Sequence, residues 1–316
     1  MASTAHAQRR GLSRGAPGRC RSQQLPPQNM MEVVGAMSHA TQEATKTNRF
    51  QLENRRLPDS VLTEAILTMT SHASVRHYKP DPVPPEAVEA ILTAARSSAT
   101  SSNLHMYSII VVTDGERREQ LAQLSEQDQV RQAPLVLVFC PDLHRLERVC
   151  ERQGYPFADR NTEMFMQAVV DAALAAQNAA VAAESLGFGT CYIGAIRNRP
   201  VQVAQLLKLP PRTFALVGLT IGYPARPAKL KPRLPAQVTV HYEEYSEDGL
   251  EEGLAAYDEI MASSGIYKNR EVPVEGQPGV TRLYGWCEHS ARRMSKPHPL
   301  RHNMKEHLQQ LGWDFV

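Results

Sequence analysis

MFMQAVVDAALAAQNAAVAAESLGFGTCYIGAIR, residues 164–197, decides how the rest of the chain is arranged. From Met164 to Leu186 nearly every side chain is apolar and small. Gln167, Asp171, Asn178 and Ser185 recur on one line at the helical period, with Gln177 and Glu184 beside it. So narrow a polar stripe requires protein cover on most other sides, which makes this a central helix. Asp171, Asn178 and Glu184 interrupt the apolar run and argue against a membrane span. Gly187 is placed to stop the helix in a left-handed conformation. Phe188–Ile193 then reads as a short buried strand, and Gly194 stands where a backbone could approach a flat ligand closely.

Gly187-Phe188-Gly189 does not signal a dinucleotide fold. That fingerprint runs strand, glycines, helix, so that a pyrophosphate meets a helix N-terminus. Here the glycines follow a helix and precede a strand.

With 316 residues and 42% hydrophobic content, the chain can bury one large core or two small ones. A net charge of +2, with no basic run interleaved with aromatics in the core, offers nothing to nucleic acid. Five cysteines (Cys20, Cys140, Cys150, Cys191, Cys287) without a Cys-x-x-Cys spacing point to a reducing, cytoplasmic setting with neither disulfides nor zinc. His298 and His302 lie one helical turn apart, but no acidic or cysteine partner is near, so a solvated face explains them better than a metal.

Residues 1–57 read as an extension. Arg9, Arg10, Arg14, Arg19 and Arg21 precede the first acidic residue, Glu32, amid Ser, Gln, Pro and Gly. Such a segment buries too little apolar surface to offset its ordering entropy, so disorder is expected. An upstream start, with Met30, Met31 or Met37 as the true beginning, explains it better than a transit peptide, and no secretory apolar region is present. Periodicity predicts helices over Pro58–Met69, Glu86–Arg96, Glu116–Leu124, Val201–Leu207, Gly249–Ala262 and Met304–Leu311. Strands are predicted at Tyr107–Val112, Pro134–Cys140 and Phe214–Gly222, and a mobile loop at Lys268–Gln277. Helices alternate with few strands and without βαβ regularity, which means an α+β fold: a mixed sheet flanked by helices.

Three polar clusters abut apolar elements: Ser74 with Arg76, the loop Thr100-Ser101-Ser102-Asn103, and Lys231-Pro232-Arg233. Arg offers a planar fork and Lys a point charge to a phosphate, and hydroxyls add neutral donors. From spacing alone, plain loop charge at Lys231 and Arg233 and a solvated turn at Ser97–Ser102 remain somewhat the simpler readings. No nucleophile-and-base set has an identifying context, so hydrolysis has no support.

Taken in order, the segments His72-Ala-Ser-Val-Arg-His77, Thr100-Ser-Ser-Asn103, Tyr192-Ile-Gly-Ala-Ile-Arg-Asn198 and Leu230-Lys-Pro-Arg-Leu-Pro235 resemble the nitroreductase superfamily. The likeness is strongest to its oxygen-insensitive major nitroreductase and NADPH-flavin oxidoreductase branch. It spans roughly residues 60–316 and includes Ala175–Ala180 and Ala183–Gly187.

This resemblance implies an interlocked α+β homodimer, with the central helix at its core and FMN in two sites at the subunit interface. It divides the chain into an FMN-binding core at 58–245 and a helical arm at 246–316 that contributes to the dimer and the NADPH site. His72, Ala73, Ser74, Arg76, Lys231 and Arg233 would surround the FMN phosphate. Thr100 and Asn103 would lie beside the flavin, and Gln127 and Gln129, in a loop, would reach the ring edge. Tyr192, Ile193, Gly194 and Ala195 would pass their backbone along the ring. Lys268, Arg270, Arg292 and Arg293 are the candidates for the NADPH 2′-phosphate.

The reaction implied is a two-step hydride exchange from NADPH to nitroaromatics, quinones or free flavins. No side-chain acid or base is required, because the cofactor carries the chemistry. A dehalogenase of the same fold and a flavin binder without turnover are the alternatives. The chain departs from the family at Ala73, where Arg is common, and at His105, where Gln is common; the first implies a phosphate grip one cation weaker.

Overall fold

In a computed structural model, the described residues are 47–158, 161–268, 270–274 and 276–315. The expectations for residues 1–46 lie outside them. The described part belongs to one compact unit, Lys46–Val316. Its elements are α1 (Arg49–Leu52), α2 (Glu64–Thr70), α3 (Pro85–Arg96), β1 (Tyr107–Val112), α4 (Gly115–Ser125), α5 (Asp128–Gln132), β2 (Leu135–Pro141), α6 (His144–Gln153) and α7 (Thr162–Ser185). There follow β3 (Gly189–Ile193), α8 (Pro200–Leu206), β4 (Val217–Gly222), α9 (Ala236–Thr239), α10 (Leu250–Ser263), β5 (Glu271–Pro273), β6 (Thr281–Leu283), α11 (Trp286–Met294) and α12 (Met304–Gln310).

The main sheet has the order β1-β2-β4-β3. The α+β class is as expected; within it, the three ladders are antiparallel rather than mixed in direction. Side chains alternate along fully buried β2. Leu135, Leu137 and Phe139 pack with the alanines of α7 and with Ile91 and Ala95 of α3. Val136, Val138 and Cys140 pack on the opposite side with Leu121, Val130 and Val203 of α4, α5 and α8. Helices therefore cover both faces of the sheet.

Helix α7 starts at the Asn161 cap, whose side chain accepts from Met164 N, and Gly187 follows its end at φ +84°. It alone among the described residues is long and apolar enough to cross a membrane, yet it is laid against the sheet with Asp171 wholly buried. Cover is one-sided, however: Met166, Val170 and Leu174 are 52%, 50% and 42% exposed.

Several expectations need correction. The helix anticipated from Pro58 begins instead at Glu64, because Thr63 caps it by accepting from Ile66 N at 3.4 Å. The last central strand begins at Val217; Phe214 joins an aromatic cluster with Phe165 and Trp313. Lys268–Gln277 is not a mobile loop throughout, since β5 pairs with β6 as a hairpin. Gln127 and Gln129 do not share a loop: Gln127 precedes α5 and Gln129 lies in it. Helices α6 and α11 were not foreseen; both are amphipathic but rich in charged residues, and neither carries a fully buried residue. Nor was α1 foreseen, within the segment read as disordered.

Candidate functional site

The polar line on α7 fastens the surrounding segments. Asp171 accepts from the backbone N–H of Ser101 at 2.8 Å and of Met106 at 3.0 Å, which pins the hydroxyl loop. Asn178 donates to Ala94 O at 3.1 Å and holds the end of α3. Glu184 Oε1 accepts from Thr190 Oγ1 at 2.5 Å and lies 2.7 Å from His72 Nδ1. The Tyr192 hydroxyl donates to Gln177 at 3.2 Å. Among the described residues, Gln167 and Ser185 by contrast bond within the helix, to Glu163 and to Ala182 O.

Segment 72–78 is seated on the sheet edge through two glycines. Val75 N donates to Thr190 O at 2.8 Å. A Cβ on Gly189 would stand 2.5 Å from Val75 Cγ2, so only glycine lets the segment dock this closely. At the other end, a Cβ on Gly222 would stand 3.1 Å from the Tyr78 ring and 2.6 Å from Pro134. The buried Tyr78 hydroxyl donates to Val75 O at 2.7 Å and bonds Thr220, and burial pushes its pKa far up. Ser74 and Arg76 are thereby held at fixed positions on either side of Val75.

Positive charge collects beside this segment. Arg76 and Lys231 both act on the Cys191 thiol, whose pKa burial raises and these two cations pull back down. Arg233 acts on Arg49 and on Tyr257, and the Tyr257 hydroxyl holds Pro232 O at 3.4 Å. Among the described residues, none of Arg49, Arg76, Lys231 and Arg233 forms an ion pair. A cavity of about 350 Å³ is lined by Arg49, His72, Arg233, Gln177 and Tyr192, among others. A second, of about 160 Å³, is lined by Ser74, Arg76 and Arg226, among others.

The backbone strip after β3 also suits a ligand. Ile193 is buried and pairs with Gly218, so it has only main chain to offer. Gly194 lacks a positive φ, and a Cβ there would meet nothing closer than Arg197 Nη2 at 3.5 Å. Its own chain does not demand a glycine, and without a Cβ the main chain here is open to close approach. Ala195 follows in a 3-10 turn, Gly194–Asn198.

The loop Thr100–Asn103 is built differently. Ser102, Asn103 and His105 all have left-handed φ (50°, 57° and 51°), and Asn103 Oδ1 bonds His105 Nε2 at 3.0 Å. Left-handed non-glycine residues are costly, and such strain concentrates at functional sites. Gln129 Nε2 donates to Gln127 Oε1 at 2.7 Å. Among the described contacts, none brings Thr100, Asn103, Gln127 or Gln129 to the cations. The NADPH candidates divide as well. Arg270 and Arg292 flank the Tyr284 ring at 4.6 and 5.8 Å, and Arg292 is paired with Glu288. Arg293 instead acts on His298 and Arg301, and Lys268 is exposed in a left-handed turn.

Sequence reading missed Arg49, which no motif marks, and left Glu184, Gln177 and Gly189 without a part in the site. Their only signal was position: Gln177 and Glu184 stand beside the polar line of α7, one of them at the end of a run of small residues.

These features define an α+β protein with a cation-lined edge beside an open backbone strip. The chain belongs to the nitroreductase family, which matches residues 69–223; the family's C-terminal domain matches residues 231–316. It is 39% identical over 253 residues to an oxygen-insensitive NADPH nitroreductase of Salmonella typhimurium, covering 80% of this chain and 99% of the relative. An FMN reductase (NADPH) of Bacillus subtilis is 37% identical over 214 residues, 66% of this chain and 85% of that protein. Among solved structures, the NADPH:FMN oxidoreductase of Vibrio harveyi complexed with NAD+ superposes with a TM-score of 0.69 at 31% identity, covering 79% of this chain and 98% of that one.

Proposed function

We propose that this chain is an FMN-dependent NADPH oxidoreductase that reduces nitroaromatics, quinones or free flavins. The observation that carries the reading is the edge formed by Arg49, His72, Arg76, Lys231 and Arg233, whose Arg and Lys side chains have no carboxylate partner among the described residues. Clustered cations repel one another unless an anion joins them, and a phosphate dianion answers that charge. His72, Ser74, Arg76, Lys231 and Arg233 would hold the FMN phosphate, with Ala73 contributing main chain. Tyr192 to Ala195 would lie along the ring. When bound, FMN supplies the two-electron chemistry, accepting hydride from NADPH and passing it to the acceptor.

The remaining contacts come from a second copy in this reading. The exposed apolar line Met166, Val170 and Leu174 supports a homodimer seam along α7. Thr100, Asn103, Gln127 and Gln129 would reach the flavin of the partner protomer. The core at 58–245 carries the flavin site, and the arm at 246–316 contributes to the dimer and offers Arg270 and Arg292 to the NADPH 2′-phosphate. Lys268 and Arg293 are the more distant candidates. The free thiols of Cys140, Cys150, Cys191 and Cys287 accord with a cytoplasmic setting.

Purified protein should be yellow, and NADPH with nitrofurazone should be consumed in a spectrophotometer. A colourless protein that remains so with added FMN, or a yellow one that oxidises no NADPH, defeats the proposal.

A further inference from the structure

Arg49 precedes residue 69, where the family match begins, yet its guanidinium is part of the cation edge. Nη1 donates to Thr70 O at 3.3 Å and Nη2 donates to His72 O at 3.1 Å. A guanidinium has five N–H groups, so three are left over. One of them, on Nε, is buried and has no partner. Orphan buried donors are rare, and a charged one is costly. Burial and the neighbouring Arg233 lower the pKa of Arg49; Glu53 and Glu184 oppose this from a distance, and neither pairs with it. Arg49 lines the 350 Å³ cavity together with His72 and Arg233. Ala73 places no charge between His72 and Ser74, so the guanidinium next to His72 is the one that α1 brings in.

We propose that Arg49, from the segment ahead of the family core, is a ligand of a phosphate monoester and completes the anion site of His72 and Arg233. This inference rests on the flavin reading above. Two phosphate monoesters are available to it, the 5′-phosphate of FMN and the 2′-phosphate of NADPH. A fork that already spans two carbonyls is pre-organised, and the second N–H of each of Nη1 and Nη2 can meet phosphate oxygens without further ordering.

The test uses the full chain with Arg49→Gln and Arg49→Lys. FMN and riboflavin are titrated by flavin fluorescence on the apoprotein, and KM is measured for NADPH and NADH. Loss of a charged hydrogen bond should raise the FMN Kd of Arg49→Gln by about tenfold to a hundredfold, with riboflavin binding unchanged. A rise confined to the KM for NADPH, with NADH unaffected, assigns Arg49 to the 2′-phosphate instead and also upholds the proposal. Equal changes for phosphorylated and unphosphorylated ligands, or none, overturn it, because a brace for Thr70 and His72 would not discriminate between them. Should Arg49→Gln not fold, Arg49→Lys keeps a charge but cannot span both carbonyls, and it must show the same discrimination more weakly. Wild-type protein that binds neither flavin defeats the flavin reading itself, an outcome separate from any effect of Arg49.

Discussion

Helix α7 meets two different surroundings along its length. On one side Ala168, Ala172, Ala175, Ala176, Ala179, Ala180 and Ala183 are buried by the chain's own elements, and Asp171 is buried among them with both oxygens bonded. On the other, Met166, Val170 and Leu174 are as apolar but lie open. The small side chains let the sheet and α3 come close, whereas the larger ones are left about half-exposed by the described residues. The candidate site divides in the same way. Its cation edge is assembled within one chain, whereas the hydroxyl loop and the two glutamines meet none of it. A face or a half-site that is finished internally reports on the fold; one left unfinished is where the proposed second copy would pack.

The comparison can be broken most forcefully at the open face. Leu174→Glu sets like charges along the proposed seam and should cost the dimer about 4–5 kcal/mol, giving a folded monomer by light scattering. A variant that remains dimeric places the seam elsewhere. On the buried side, Asp171→Ala leaves two backbone N–H groups without an acceptor and should lower stability by about 3–4 kcal/mol in urea titration. Asp171→Asn, which keeps one acceptor, should lose less.

A smaller effect sharpens the link between the sheet edge and the site. Gly189→Ala forces its new Cβ against Val75 and should cost about 2 kcal/mol, with weaker FMN binding because Ser74 and Arg76 shift. Smallest is Arg76→Ala, an exposed cation whose loss should raise the FMN Kd about tenfold with the melting temperature almost unchanged. Weakened riboflavin binding of the same size would show that Arg76 supports the segment rather than the phosphate.

Local pattern was enough for some elements. Strand β1 is read to the residue from Tyr107 to Val112, because β-branched residues run between turn formers. The central helix and its glycine stop are likewise plain in the run of alanines and in Gly187. The site was legible where chemistry is packed into a short run, as at His72–Arg76 and Lys231–Arg233. It was not legible at Arg49, which reaches His72 O across 23 residues of chain, or at Glu184, 112 residues from its histidine partner. The hairpin of β5 and β6 was hidden by strands of three residues each, too short for a period to register.

By itself the amino-acid order determined that a small-residue helix lies at the centre and that few strands accompany it. These follow from periodicity and from residue types that act over a few positions. Which Arg and Lys side chains stand together without an ion-pair partner among the described residues, that glycines at 189 and 222 seat segment 72–78, and that one face of α7 is left half-exposed were decided only by the tertiary structure. Such facts depend on distances between residues far apart in the chain, and burial and charge act through space rather than along the backbone.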